Sequence, residues 1–369
     1  MVFRYNYDSQ RGNYMKIYGV IMAGGGGTRF WPLSRKSTPK QFLNLSGKDC
    51  MVNEAIDRLA QIVKYEDIFV VTNQSQAEMM QKVTDGRISR THILAEPAAR
   101  NTSACIGYAA MEIIKKYGDG IMVITPSDAY IRNNEKFASV LQNAVSAAEQ
   151  EDALVTVGIE PTFPSTGYGY IKFEDTEGSV EKKVCEFKEK PDLETAKDYL
   201  ADGQYVWNSG MFVWKASTIL NEFKKYLPDI YEQLQEIGNS MRTKLEQEVI
   251  ERIYPELQSI SIDYGIMEKA ENVLVVPGEF GWSDVGSWDM MGTLHNADGN
   301  GNVSVGDTLL IDTENTIAYS KERLIAALGV KNLILVETPD ALLVCDKQRA
   351  QDVKGIVDIL RKQGREDLL

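Results

Sequence analysis

Between Lys16 and residue 160 the chain repeats one pattern, a short apolar run followed by an amphipathic stretch long enough for a helix. The runs are YGVIMA (18–23), IFVVT (68–72), HILAE (92–96), IMVIT (121–125) and ALVTVGI (153–159). Between them lie MVNEAIDRLAQIVK (51–64), SQAEMMQKV (75–83), TSACIGYAAMEIIKKYG (102–118) and KFASVLQNAVSAAEQ (136–150). A strand that is apolar at nearly every position must be buried on both faces. The pattern therefore predicts an α/β fold with a mostly parallel, Rossmann-like sheet covered by helices on both sides. Open sheets of this kind gather ligands at the carboxyl ends of their strands. A glycine run follows the first strand directly and SDA follows IMVIT, so both are expected on one ligand-facing edge.

Beyond residue 160 the pattern changes. GYGYIKF, VCEFKEKPD and WNSGMFVWK read as hairpin-like strands, and helical periodicity returns between 216 and 252. The breaker cluster HNADGNGN (295–302) is the expected domain boundary. After it come many short strands with tight turns and a last helix, AQDVKGIVDILRK. The expected organisation is an extension or alternative start at 1–14, a large domain at 15–294 and a small β-rich domain at 295–369. Residues 1–14 have no apolar h-region, so no secretory signal is expected there. No apolar run approaches the ~18 residues of a membrane span.

Composition narrows the function. The net charge is −13, opposite to the broad basic face of a non-specific nucleic-acid binder. No nucleic-acid or membrane partner is expected. Two histidines, His92 and His295, leave little for a zinc site or a histidine-centred triad. Four scattered cysteines, Cys50, Cys105, Cys185 and Cys345, have no metal-ligand spacing and read as buried free thiols of a cytoplasmic protein.

The run AGGGGTRFWPLSRKSTPKQF (23–42) combines bare backbone with Arg29, Arg35, Lys36 and Lys40. The dinucleotide fingerprint G-x-G-x-x-G fails, because its sixth position is Arg29 or Phe30. The Walker loop fails for lack of its terminal lysine and hydroxyl residue. Two readings stay open: a flexible turn, or a loop whose amides approach a phosphate while cations downstream neutralise it.

GGGGTRFWPLSRKSTPKQF resembles the signature of sugar-nucleotide pyrophosphorylases, specifically the mannose-1-phosphate guanylyltransferases. EPAARNTS (96–103), TPSDAYI (125–131), GYGYI (167–171), FKEKP (187–191), WNSGMF (207–212) and GWSDVGSW (281–288) follow in the family's order. The resemblance runs from about Lys16 to the C-terminus. It implies a nucleotidyltransferase domain with a small β-helix-like C-terminal domain. The implied reaction joins mannose 1-phosphate to the α-phosphorus of GTP and releases pyrophosphate. Homodimers are also implied. Larger relatives append a cupin-like isomerase domain, so no isomerase activity is expected of a sequence that ends at residue 369.

Chemistry agrees with the residues so implied. Two unit charges about 4 Å apart repel by about 4 kcal/mol at an effective dielectric of about 20, and both substrates are polyanions. Arg29 and Lys40 suit the triphosphate and Lys190 the sugar phosphate. Gly24, Gly25, Gly27 and Thr28 would bring backbone to the nucleotide, and Glu96, Arg100 and Asn101 resemble the family's nucleoside-side motif. Gly169, Glu189 and Asn208 suit sugar hydroxyls. Asp128 and Asp284 would repel phosphate unless a divalent cation bridged them, and oxygen ligands favour Mg²⁺. Taken alone, either aspartate could instead cap a turn. The nucleophile is a phosphate oxygen already ionised, so the shortage of general bases costs nothing. Rival readings are another hexose 1-phosphate or nucleoside triphosphate, or a regulatory protein that binds without turnover.

Overall fold

The computed structural model describes residues 15–175, 178–188 and 190–369. Strands β1 (Ile17–Ala23), β2 (Ile68–Asn73), β3 (Ile93–Glu96) and β4 (Ile121–Pro126) alternate with helices α1 (Met51–Leu59), α2 (Ala77–Val83) and α3 (Asn101–Tyr117). A two-residue strand β5 (Tyr130–Ile131) and helix α4 (Asn134–Glu151) lead to β6 (Leu154–Ile159). The side chain of Asn133 caps α4, accepting a 3.0 Å bond from the amide of Lys136. Next come β7 (Tyr170–Glu174), β8 (Lys182–Lys188), α5 (Leu193–Asp202) and β9 (Tyr205–Lys215). Helices α6 (Ala216–Tyr226), α7 (Pro228–Ser240) and α8 (Glu246–Ile253) precede β10 (Val273–Gly278) and β11 (Trp282–Ser283).

Among the described residues the main sheet has nine strands in the order β3-β2-β1-β4-β9-β6-β10-β8-β7. Strands β1 to β4 pair in parallel, as the apolar runs require. The sheet as a whole is mixed, because β9 lies antiparallel between β4 and β6, and β7 and β8 form an antiparallel hairpin. Side chains of β1 divide between two cores. Tyr18 and Val20 join the core under α3, α6 and α7. Ile21 and Ala23 join the core under α1 and α4. Burial on both faces is what made these runs apolar throughout.

The small C-terminal unit contains β12 (Val303–Val305), β13 (Thr308–Ile311), β14 (Ile317–Ser320), β15 (Ile325–Leu328), β16 (Leu333–Thr338) and β17 (Ala341–Asp346), then helix α9 (Val353–Lys362). Strands β12, β14 and β16 stack in parallel, as do β13 and β15, which gives two faces of a β-helix. Val303, Ile317 and Ile334 stand in register across the rungs and are all buried. This unit does not keep its core to itself. Phe30, Trp31, Leu43 and Leu45 from the glycine-loop segment share one apolar cluster with Val285, Trp288, Val303, Ile317, Val353 and Leu369. Fully burying one phenylalanine is worth about 2–3 kcal/mol, so the shared cluster is a real source of cohesion. Two cysteines depart from the sequence expectation. Cys50 and Cys105 are buried, but Cys185 is exposed and Cys345 half-exposed, and all four are free. Among the described residues no helix is long and apolar enough to cross a membrane.

Candidate active site

The parallel register of β1 and β4 pairs Met22 with Pro126. The amide of Ser127 donates to the carbonyl of Met22 at 3.0 Å. The glycine run and the Ser127–Asp128 turn therefore leave the sheet side by side, as the strand pattern predicts.

Within the run the glycines have different reasons to be glycine. Gly27 has φ 59°, and a Cβ there would meet the Cβ of Lys40 at 2.2 Å, so the fold itself requires glycine. A Cβ on Gly24 would come within 3.2 Å of the Glu96 carboxylate. At Gly25 and Gly26 a Cβ would meet nothing within 4 Å. Packing does not demand bare backbone at those two positions. Gly27 closes the loop: its carbonyl accepts from the Ser34 hydroxyl at 2.8 Å and from the amide of Phe30 at 3.0 Å. Thr28, Arg29 and Phe30 form the turn that follows. Phe30 is fully buried while Arg29 is exposed. Among the described residues no side-chain hydrogen bond or ion pair holds Arg29.

Lys40 is buried, with 5% of its surface exposed. Its ammonium donates to the Asp128 carboxylate at 2.9 Å, the Asp128 carbonyl at 3.0 Å and the Asp284 carbonyl at 2.7 Å. An ammonium has three N–H donors, and protein oxygens take all three. Lys40 thus ties the glycine-loop segment to both acid-bearing turns. From beneath, the buried guanidinium of Arg58 on α1 donates to the carbonyl of Ala129 at 2.8 Å and fixes the Asp128 turn a second time. Burial holds the Arg58 pKa down at about 10.

The Asp284 carboxylate accepts a 2.9 Å bond from the Tyr168 hydroxyl. Burial pushes its pKa above the usual carboxylate range. The Tyr168 bond and the Lys40 charge oppose that shift, and the Asp128 charge adds to it. Tyr168 precedes Gly169 in GYGYI and packs between the rings of Trp207 at 5.0 Å and Trp282 at 5.3 Å. The sequence points to Gly169 in this motif but gives no signal for Tyr168 beyond its place beside that glycine. The carbonyl of Gly169 accepts from the Asn208 amide at 2.8 Å, and the Asn208 side chain donates to Asp263 at 2.7 Å. Lys40 thus joins Asp128 and Asp284, and from Asp284 the contacts run on through Tyr168 and its neighbour Gly169 to Asn208.

On the other side Glu96, 6% exposed at the end of β3, accepts a hydrogen bond from Tyr254 on its Oε1. Burial raises its pKa and the tyrosine bond partly offsets the rise. Arg100 donates to the carbonyl of Pro255. Asn101, at φ 65°, begins α3 and accepts from the Thr102 amide at 2.8 Å. Lys190 is exposed in the turn after β8, at φ 40°. The pairing of Lys188 with Tyr170 brings that turn toward Gly169. Glu189 lies outside the described residues, as do residues 1–14.

Among the described residues no group of three or more histidine, cysteine, aspartate or glutamate side chains could hold a metal. A cation here would rest on Asp128 and Asp284 alone. That donor set suits a hard ion that keeps several waters and takes substrate oxygens. Such an ion would offset the charge of the Asp284 carboxylate, whose pKa is raised chiefly by burial and further by the Asp128 charge.

A glycine loop at the carboxyl edge of a mixed Rossmann-like sheet, with two acid turns beside it, defines the nucleotidyl transferase class. The model of the nucleotidyl transferase family matches residues 18–300, and that of the MannoseP isomerase/GMP-like beta-helix domain matches residues 306–360. Xanthan biosynthesis protein XanB of Xanthomonas campestris pv. campestris is 40% identical over 356 residues, which are 95% of this chain and 74% of that protein. Mannose-1-phosphate guanylyltransferase of Escherichia coli K12 is 37% identical over 360 residues, 95% of this chain and 75% of that protein. A crystal structure of mannose-1-phosphate geranyltransferase from Thermus thermophilus superposes with a TM-score of 0.86 at 33% identity, covering 94% of this chain and 100% of that one. The chain belongs to the mannose-1-phosphate guanylyltransferase family.

Proposed function

We propose that the chain transfers the guanylyl group of GTP to mannose 1-phosphate, giving GDP-mannose and pyrophosphate. The observation that carries this reading is the bare backbone at Gly25 and Gly26, which packing does not require, beside an exposed arginine and two joined carboxylate turns. In this reading the loop amides and Arg29 bind the triphosphate. The end of β3 and the start of α3, with Glu96, Arg100 and Asn101, face the nucleoside. Gly169, Glu189 and Asn208 orient the hexose, and Lys190 holds its phosphate. Lys40 keeps the two acid turns together. Its side chain can serve the triphosphate only by leaving one of its present partners.

Asp128 and Asp284 would hold Mg²⁺, which supplies charge neutralisation between the two phosphorylated substrates. The chain's own residues supply alignment. Holding two reactants in line can account for several kcal/mol of barrier, up to about 7–11 in favourable cases. The attacking phosphate oxygen is already ionised, so no side chain has to remove a proton. Fixed donors aimed at the charge that develops on the pyrophosphate do the remaining work. The domain division near 295–302, a cytoplasmic location and a homodimer complete the proposal.

A grid of nucleoside triphosphates against sugar 1-phosphates, read by pyrophosphate release with and without Mg²⁺, tests the reading. Release only with GTP and mannose 1-phosphate supports it. Faster turnover with another pair would reassign the substrates.

A further inference from the structure

Of the cations in the glycine-run segment, two point away from the loop. Arg35 donates through Nη1 to the carbonyl of Leu368 at 2.9 Å and through Nη2 to the Asp340 carboxylate at 2.7 Å. Lys36 reaches Glu366 at 2.5 Å. The carbonyl of Leu368 also accepts from the indole nitrogen of Trp31 at 2.9 Å, and the Arg35 guanidinium lies 5.6 Å from the Trp31 ring. One C-terminal carbonyl thus holds both ends of the segment that begins two residues after Arg29. On the opposite side the carbonyl of Trp31 accepts from the indole of Trp288 at 3.0 Å, and the Phe30 ring packs 5.1 Å from Trp288. The Arg35 side chain is only 13% exposed, against 46% for Asp340.

We propose that Arg35 is a positioning residue for the glycine loop: by clamping the segment 31–35 onto the Leu368 carbonyl and Asp340, it sets the backbone from which Arg29 reaches the triphosphate. The functional half rests on the reading of Arg29 given above; the clamp itself does not. The physical reason is preorganisation. An arginine on a backbone already fixed loses less freedom when it binds an anion, so affinity is gained without a new contact. Arginine suits the clamp because its rigid planar fork donates from two separate nitrogens, Nη1 to the Leu368 carbonyl and Nη2 to the Asp340 carboxylate. The small C-terminal unit thereby becomes part of how the large domain binds nucleotide.

Two variants test the clamp. Arg35→Leu removes it from one side, and Asp340→Asn weakens it from the exposed side without touching the shared core. The first readout is amide hydrogen exchange on the ligand-free chain. The Phe30, Leu33 and Ser34 amides, which bond within the loop segment, should exchange about tenfold faster while α3 is unchanged. The second is steady-state kinetics: KM for GTP should rise about tenfold in Arg35→Leu and less in Asp340→Asn, with KM for mannose 1-phosphate within about twofold of wild type. Unchanged exchange in both variants overturns the clamp. Faster exchange with an unchanged KM for GTP keeps the clamp and overturns the assignment of the loop to the triphosphate. If Arg35→Leu fails to fold, the exchange and kinetics of Asp340→Asn decide.

Discussion

Lys40 and Asp284 meet through the backbone: the lysine ammonium donates 2.7 Å to the Asp284 carbonyl while also holding the Asp128 carboxylate at 2.9 Å. One side chain from the glycine-loop segment therefore fixes two turns that lie 156 residues apart in the chain. Lys40→Met should lower kcat/KM by about a hundredfold or more and cost about 2 kcal/mol of stability, since hydrogen bonds to charged groups are worth about 1.5–3 kcal/mol. Steady-state rates and a urea melt measure the two effects. A variant with wild-type rate would show that the turns hold without it.

Asp284→Asn removes a charge that burial already disfavours. The fold should persist with an unchanged or slightly higher melting temperature, while Mg²⁺-dependent turnover falls by about a hundredfold or more. Calorimetric melting together with pyrophosphate release checks both halves. Near-normal turnover in Mg²⁺ would remove Asp284 from the metal site.

Tyr168→Phe keeps the ring between Trp207 and Trp282 and deletes only the hydroxyl that orients Asp284. The expected result is about a tenfold fall in kcat with a raised Mg²⁺ requirement, as for a lost partner of a ligand carboxylate. A magnesium titration of the rate measures it, and an unchanged titration would make the tyrosine a packing residue alone.

Arg29→Ala should leave the melting temperature within about 1 °C, because the side chain is exposed and such substitutions usually change stability by less than about 0.5 kcal/mol. Its cost should fall on GTP, about a hundredfold in kcat/KM. Kinetics at varied GTP tests this. An unaltered rate would take Arg29 out of the phosphate site.

In the C-terminal unit Glu337 is buried and accepts from the amides of Lys321, Glu322 and Arg323 and from the Arg323 side chain. The Glu322 amide and its neighbours hold its pKa down at about 2, against an ordinary 4.5. A carboxyl lowered on folding adds stability that is complete above its unfolded pKa and lost as pH falls through the folded one. Thermal stability should therefore drop between about pH 4.5 and pH 2, and Glu337→Gln should flatten that part of the curve and cost about 2 kcal/mol near neutrality. Melting by circular dichroism across this range measures it. An identical acid limb in the variant would contradict the assignment.

Burial on both faces wrote β1, β2 and β4 into the sequence as unbroken apolar runs. The edge they share followed from the parallel pairing. β9 was harder. WNSGMFVWK reads as a strand, but its antiparallel place between β4 and β6 depends on partners dozens of residues away, which periodicity does not encode. The candidate site divides the same way. Asp128 and Asp284 stand in short motifs that carry their own signal. The partners of Arg35 and Lys36 do not, because they lie more than 300 residues downstream. Nothing in the run AGGGGTRFWPLSRKSTPKQF itself marks Arg35 and Lys36 as turned toward the end of the chain.

The most direct test is a crystal structure of the chain with GDP-mannose bound. The diphosphate should lie against the amides of Gly25 and Gly26 and the Arg29 guanidinium, with the hexose beside Gly169 and Asn208. A ligand seated elsewhere, with the loop and both aspartates untouched, would contradict it.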